Sequence, residues 1–380
     1  MKKEEGNLKK LFKIFDFNNK NFDFILLGSV LVLTSLGMLM VYSTSSIFSL
    51  EKYGDSSHFL KLHTLYLTIG IISLVIFMHV DYKFLRKMVY PIYILGLILL
   101  VLVLIPGIGK EVSGAQRWIQ LSQFTFQPSE LCKFILVLYL AHSLTKKKSK
   151  IDSFWVGFFS HIVIAGLYIF LIFLEPDFGT SSVLLIVLFI MLFIGNVRLR
   201  YLLLLGLISV AFVASAILTK GYRMDRVTSF MDPWKDPLGS GYQTVQSFVA
   251  FGLGGLYGTG LGDSSQKLFF LPQAHTDFIF SIMAEEFGFI GVVFILLLFF
   301  LVLIRSIRIS LRAPDSFSSY LVFGIIVLII MQASINMGVA VGLFPTKGIT
   351  LPFISYGGSS LISSLAAIGI ILSISRHGKK

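Results

Sequence analysis

Ten runs of apolar residues constrain this chain more than any other feature: 24–45, 60–79, 89–106, 129–145, 154–174, 178–195, 200–219, 277–303, 318–342 and 353–375. Each is close to the roughly 20 residues a helix needs to cross the hydrocarbon of a bilayer. In lipid, a single apolar segment of that length can satisfy its own backbone only as a helix. Charged residues make up 14% of the chain, against about 25% in soluble domains. The predicted fold class is an all-α polytopic membrane protein with ten transmembrane helices. Runs 154–174 and 178–195 are separated only by Glu175-Pro176-Asp177. One kinked helix of their combined length would overrun the membrane, so a tight hairpin is predicted. The first run is too long for a removable signal peptide and lacks a small-residue cleavage site, so it reads as an uncleaved span. The single cysteine, Cys132, has no partner for an intrachain disulfide.

The net charge of +12 would suit nucleic acid if it formed one patch. Instead, most of the basic residues fall into six short clusters at alternate ends of the spans. These are Lys2, Lys3, Lys9, Lys10, Lys13 and Lys20; Lys83, Arg86 and Lys87; Lys146, Lys147, Lys148 and Lys150; Arg198 and Arg200; Arg305, Arg308 and Arg312; and Arg376, Lys379 and Lys380. This is the positive-inside pattern, with both termini cytoplasmic, and not a nucleic-acid stripe. The chain then divides into a cytoplasmic basic tail (1–23), one ten-helix membrane domain (24–375) and a short cytoplasmic tail (376–380). A large extracellular loop, 220–276, joins helices 7 and 8. The loops 107–128 and 343–352 and the 175–177 turn fall on the same outer face.

That face carries the chemistry. The stretch Leu271–Gly288 places His275, Asp277, Glu285 and Glu286 at the mouth of a span and inside it, and carboxylates are costly there unless they face a cavity or a partner. Along a helix beginning at Asp277, Ser281, Ala284 and Gly288 would share its face, while Glu285 and Glu286 point elsewhere and read as structural. Glu130 and Lys133 sit one turn apart at the start of the fourth span, as an ion pair or as the wall of a polar cavity. Asp177 either caps the sixth span or, with Glu175, lines a cavity or holds a divalent cation. The run Gly252–Gly262 reads as a bending loop; a phosphate cradle is the weaker alternative, because no strand-turn-helix context surrounds it. Pro, Gly and Ser over 345–360 predict a broken or re-entrant approach to the last span.

Together the strings GAQRWI (114–119), QPSELCK (127–133), EPDFGT (175–180), DPLGSGYQTVQS (236–247), AHTDFIF (274–280) and PTKGITLPFISYGGSS (345–360) resemble the SEDS family of bacterial cell-wall proteins, over nearly the whole chain. GYQTVQS, Gln266-Lys267 and LPQAHTDF are more similar to its division branch, FtsW, than to its elongation branch, RodA. Cys132 stands where small residues are more usual, and Gln273 where Glu is common. The resemblance implies a peptidoglycan glycosyltransferase that polymerises lipid II on the outer face of the cytoplasmic membrane, at the division septum. Asp277 would be the catalytic residue, with Glu130, Lys133 and Asp177 lining the cavity and Trp118 also important. Cations that would take up the charge of a leaving pyrophosphate are Lys133, Lys347, Arg117, Arg223 and Arg226, with His275 beside the base. Implied partners are lipid II, a class B penicillin-binding transpeptidase (FtsI-like), other division proteins and membrane lipids, with no nucleic acid. No cofactor is certain; a divalent cation, Mg2+ or Mn2+, is the one left open. The rival readings are a lipid II flippase or transporter, a non-catalytic division scaffold, and a RodA-like elongation polymerase.

Overall fold

The computed structural model describes residues 22–112, 115–121, 124–218, 221–268, 270–272 and 274–378. The basic residues of the N-terminal tail, Lys379, Lys380, Gly114 and Gln273 lie outside them, as does the side chain of Arg223. Among the described residues, thirteen α-helices follow one another: α1 (Phe24–Tyr53), α2 (His58–His79), α3 (Tyr82–Lys87), α4 (Val89–Leu104), α5 (Pro128–Lys146), α6 (Ser160–Leu174), α7 (Phe178–Ile194), α8 (Leu199–Leu218), α9 (Gly221–Met231), α10 (Tyr242–Gly254), α11 (Ile279–Leu311), α12 (Ser316–Ala340) and α13 (Gly358–Arg376). A helix lies at each of the ten apolar runs. Among the described residues, six helical segments are long and apolar enough to cross a membrane: α1, α2, Phe154–Leu174, α11, α12 and α13. α4, α7 and most of α8 are shorter apolar helices. This is a membrane protein.

The centre of the bundle is built from α5, α12 and α13, buried along nearly their whole lengths. Residues of α2 and α11 leave large apolar side chains such as Ile72, Ile76, Phe294 and Phe300 exposed, as lipid-facing helices must. Close approach is bought with small residues. A Cβ on Gly37 of α1 would stand 2.6 Å from the carbonyl of Phe353, so α1 lies directly on the chain entering α13. At one end of the bundle Arg305 binds Asp23 at 2.8 Å, joining the last turns of α11 to the start of α1. Arg376 lies over the ring of Phe22 at the same end.

The opposite end departs from the sequence reading in four ways. The 107–128 connection, expected as a loop, holds an antiparallel sheet ordered β1 (Gly109–Val112), β2 (Ala115–Leu121), β3 (Phe124–Phe126), so the chain is mainly rather than wholly helical. The 220–276 connection, also expected as a loop, carries α9 and α10. α11 starts at Ile279, leaving Asp277 in a turn two residues ahead of it and not on a helical face with Ser281 and Ala284. α11 is also broken at Gly288 (φ 66°, ψ −168°). The expectations for the hairpin and for the last span hold: Glu175-Pro176-Asp177 separates α6 from α7, and the irregular 341–357 segment buries Leu351, Phe353 and Ile354 before α13 begins.

The break in α11 has a partner. Thr259 N and Gly260 N donate to the carbonyls of Glu285 and Glu286, while Phe289 N and Ile290 N donate to those of Gly255 and Leu256. The glycine run is thus threaded across the opened helix. Gly258 (φ 83°) has to be glycine, since its Cβ would lie 2.2 Å from the Glu286 carbonyl. Two of its amides are already committed to helix carbonyls, so the structure favours the bending loop over the phosphate cradle. Glu285 braces the same loop, accepting from Ser264 Oγ at 2.5 Å and Ser265 N at 2.8 Å. Glu286 pairs with Lys267 at 3.0 Å and accepts from Ser43 Oγ at 2.6 Å. Each carboxylate thus has its own set of contacts, one with the 264–265 turn and one with Lys267 and α1.

Candidate active site

The residues singled out in the sequence come from six segments at the end of the bundle that carries the sheet: the turn before α11, β2, the turn between α6 and α7, α9, the 346–348 segment and the start of α5. Asp277 comes first. Burial pushes its carboxyl up to about 6, against the pull of the Arg226 guanidinium, a Thr276 hydrogen bond and the Arg117 guanidinium. Burial disfavours the charged form and nearby cations favour it; here burial wins. Its Oδ2 faces Gly348, where a Cβ would come within 3.5 Å.

Arg117, on β2, clasps the turn between α6 and α7. Its Nε donates to the Glu175 carbonyl at 3.2 Å, its Nη2 donates to the Pro176 carbonyl, and its Nη1 stands 4.0 Å from Asp177 Oδ1. A planar guanidinium with several donors suits such a three-point grip, which lysine cannot reproduce. Asp177 also caps α7, accepting from Thr180 N at 3.0 Å and Thr180 Oγ1 at 2.8 Å. The helix cap and the charged cluster therefore share one carboxylate. Arg226, from α9, donates to the Thr346 carbonyl at 3.2 Å. The next residue, Lys347, sets its ammonium 5.3 Å from the centre of the Phe178 ring, and burial lowers its pKa. Three cations thus lie around the approach to Asp277 and Asp177.

Glu130 and Lys133 form a buried ion pair at 2.7 Å in the first turns of α5, with Glu130 Oε2 unpartnered among the described residues. Of the two sequence alternatives, the ion pair is the one the structure contains, with one acceptor left over. Trp118 stands on β2 opposite Lys110, and its ring makes no hydrogen bond or ring contact with the cluster among the described residues. His275 differs more from expectation. It packs among Phe48, Phe59 and Tyr356, and burial, with Lys52 nearby, pushes its pKa down to about 4. This neutral ring joins the Asp277 turn to α1 and α2 and does not share the cations.

Two features escaped the sequence reading. Glu175 is fully buried with neither carboxylate oxygen partnered among the described residues. Burial, then the neighbouring Asp177, pushes its pKa up to about 9 despite Arg117, so it is a neutral acid at pH 7. Asn336 of α12 donates to the carbonyls of Asp277 and Ile349, each at 2.8 Å; an amide within the ninth apolar run was the available signal. As for a divalent cation, no three His, Cys, Asp or Glu side chains converge among the described residues. The described residues do not build an all-protein metal cage.

The family model described as "Cell cycle protein", covering FtsW, RodA and SpoVE, matches residues 24–380. The FtsW of Geobacter sp. (strain M18), named a "Probable peptidoglycan glycosyltransferase", is 46% identical over 356 residues, covering 94% of this chain and 97% of its own. Stage V sporulation protein E of Bacillus subtilis (strain 168) is 44% identical over 357 residues, covering 94% and 98%. The rod-shape-determining protein RodA of Thermus thermophilus superposes with a TM-score of 0.70 at 29% identity, covering 94% of this chain and 98% of its own. A chain from a peptidoglycan synthase complex, solved for how it coordinates polymerization and crosslinking, matches with a TM-score of 0.76 at 31% identity, covering 94% and 98%. The chain belongs to the FtsW, RodA and SpoVE family.

Proposed function

We propose that this chain is an FtsW-like peptidoglycan glycosyltransferase that polymerises lipid II on the outer face of the cytoplasmic membrane. The buried aspartate facing a ring of cations carries the reading. The 4-hydroxyl of an incoming lipid II attacks the anomeric carbon of the reducing-end sugar on the growing glycan. A new glycosidic C–O bond forms while the bond from that carbon to the lipid pyrophosphate breaks. Asp277 takes the hydroxyl proton, as a carboxylate base within hydrogen-bond reach can. The departing pyrophosphate needs positive charge in a site of low dielectric, and Arg117, Arg226, Lys347 and Lys133 are placed to give it. Glu130 and Asp177 line the cavity and hold Lys133 and Arg117 respectively, Trp118 flanks it on β2, and His275 braces the turn.

The same reading assigns ten spans with both termini cytoplasmic, supported by the basic clusters and by the helix at each apolar run. Asp277 and the 220–276 connection then lie outside, where a lipid-linked sugar can be met from the bilayer. A single-span class B transpeptidase is the proposed partner, supported by the likeness to a synthase complex that couples polymerization to crosslinking. FtsW naming of the relatives favours the septum as the place of action. The likeness to a sporulation protein supports a second reading of place, which fluorescence imaging of growing and sporulating cells separates.

The test is glycan synthesis by the purified chain with its transpeptidase and labelled lipid II. Polymer from wild type and none from Asp277→Ala is the expected result. Wild-type rates from Asp277→Ala would remove Asp277 from the chemistry. Movement of lipid II across vesicles without any joined sugars would replace the polymerase with a flippase.

A further inference from the structure

The turn that carries Asp277 has its main chain tied down residue by residue. Tyr356 N donates to the His275 carbonyl at 2.9 Å. Ser355 Oγ donates to the Thr276 carbonyl at 2.6 Å and accepts from Leu351 N at 2.9 Å. Asn336 Nδ2 donates to the Asp277 carbonyl and, with its other hydrogen, to that of Ile349. Three successive carbonyls are thus held by two neighbours, α12 and the 349–356 segment. The Asn336 amide grips both the aspartate and the segment that holds Lys347.

An amide inside an apolar helix is expensive unless it finds partners. Asn336 is 2% exposed, and both of its N–H groups are used. A group that served only to glue helices would need one partner on one neighbour. This one bridges the proposed base to the cation-bearing loop, which is the relationship a reaction needs held to within a fraction of an ångström.

We infer that Asn336 is a positioning residue, which with Ser355 fixes the Asp277 carboxylate relative to Lys347 and Arg226 for sugar transfer. The inference rests on the polymerase reading above. Asn336 acts through the main chain of Asp277.

The variants are Asn336→Asp, which keeps the shape but offers no N–H donor, and Asn336→Leu, which keeps the volume. Each is assayed as the full chain with its transpeptidase on lipid II. Expected is a loss in kcat of about 10- to 100-fold, with KM for lipid II within about 2-fold. Hydrogen exchange of the 274–280 amides quickens in parallel, with the rest of the bundle unchanged. Wild-type kcat in either folded variant, or a fall confined to KM, overturns the inference. Where both Asn336 variants fail to fold, Ser355→Ala decides: a lowered kcat with faster exchange upholds the clamp, and wild-type values for both overturn it. If wild type makes no glycan while the exchange response is present, the reaction assigned above falls and the clamp does not.

Discussion

Lys133 Nζ lies 2.7 Å from Glu130 Oε1, with 1% of the lysine side chain exposed. Two opposite charges on successive turns of α5 hold each other where neither could stand alone. Removing one partner leaves the other buried and uncompensated, which typically costs about 3–5 kcal/mol, whereas replacing both is often close to neutral. Lys133→Met is therefore expected to lower thermal stability in detergent sharply, and Glu130→Gln with Lys133→Met to recover most of it. Under the polymerase reading the double variant stays inactive. Stability and glycan synthesis measured on the same preparations check both halves.

Asp277 works as a base only when ionised. With its pKa raised to about 6, polymerisation falls as pH drops through that value. Arg226→Ala withdraws one of the cations that hold the carboxyl down, so the acid limb moves to higher pH. Asp277→Asn abolishes the limb and costs about 10²- to 10⁴-fold in rate. A pH–rate profile of the three proteins on lipid II reads all of these outcomes.

Glu175 gives the opposite kind of pH dependence. Its folded value of about 9 lies above the ordinary 4.5, so the folded state binds the proton more tightly. The resulting stability is full below the unfolded value and is lost as pH rises through about 9. Glu175→Gln, neutral at every pH, is expected to match wild type near and below the ordinary carboxyl value of 4.5. It should outlast wild type by a growing margin as pH rises from there through neutral to about 9. Thermal unfolding of the two proteins compared from about pH 4 to about pH 10 tests this.

Gly288 is the break in α11, and a Cβ there would meet Gly258 N at 2.3 Å and the Leu256 carbonyl carbon at 2.7 Å. Gly288→Ala combines a left-handed backbone with a clash, costing about 3–5 kcal/mol. Its signature is early proteolysis within 255–268, ahead of global unfolding.

A helix at each of the ten apolar runs was legible because apolar length is a one-dimensional signal. Asp277, Asp177 and the Glu130–Lys133 pair were legible as charges in costly places. The hidden part depended on neighbours distant in sequence. Nothing local marks Asn336 as the partner of a carbonyl 59 residues earlier, or Arg117 as the grip on a turn 58 residues later. His275 was misplaced for the same reason, since its surroundings come from α1, α2 and the 356 position. The sheet at 109–126 was hidden by brevity, its strands being 4, 7 and 3 residues long.

The crossing of the glycine run with α11 bears on how this protein can be handled. Surface connections ordinarily tolerate inserted residues, which makes a long, glycine-rich stretch the natural place for a tag or fluorophore. Here four backbone hydrogen bonds fix the register of 255–260 against 285–290. An insertion would have to unzip a helix to be accommodated. Among the described residues, the stretch around Trp234 and Leu238, 61% and 86% exposed, has no such backbone stitching to α11. A reporter meant to follow this protein in living cells belongs there.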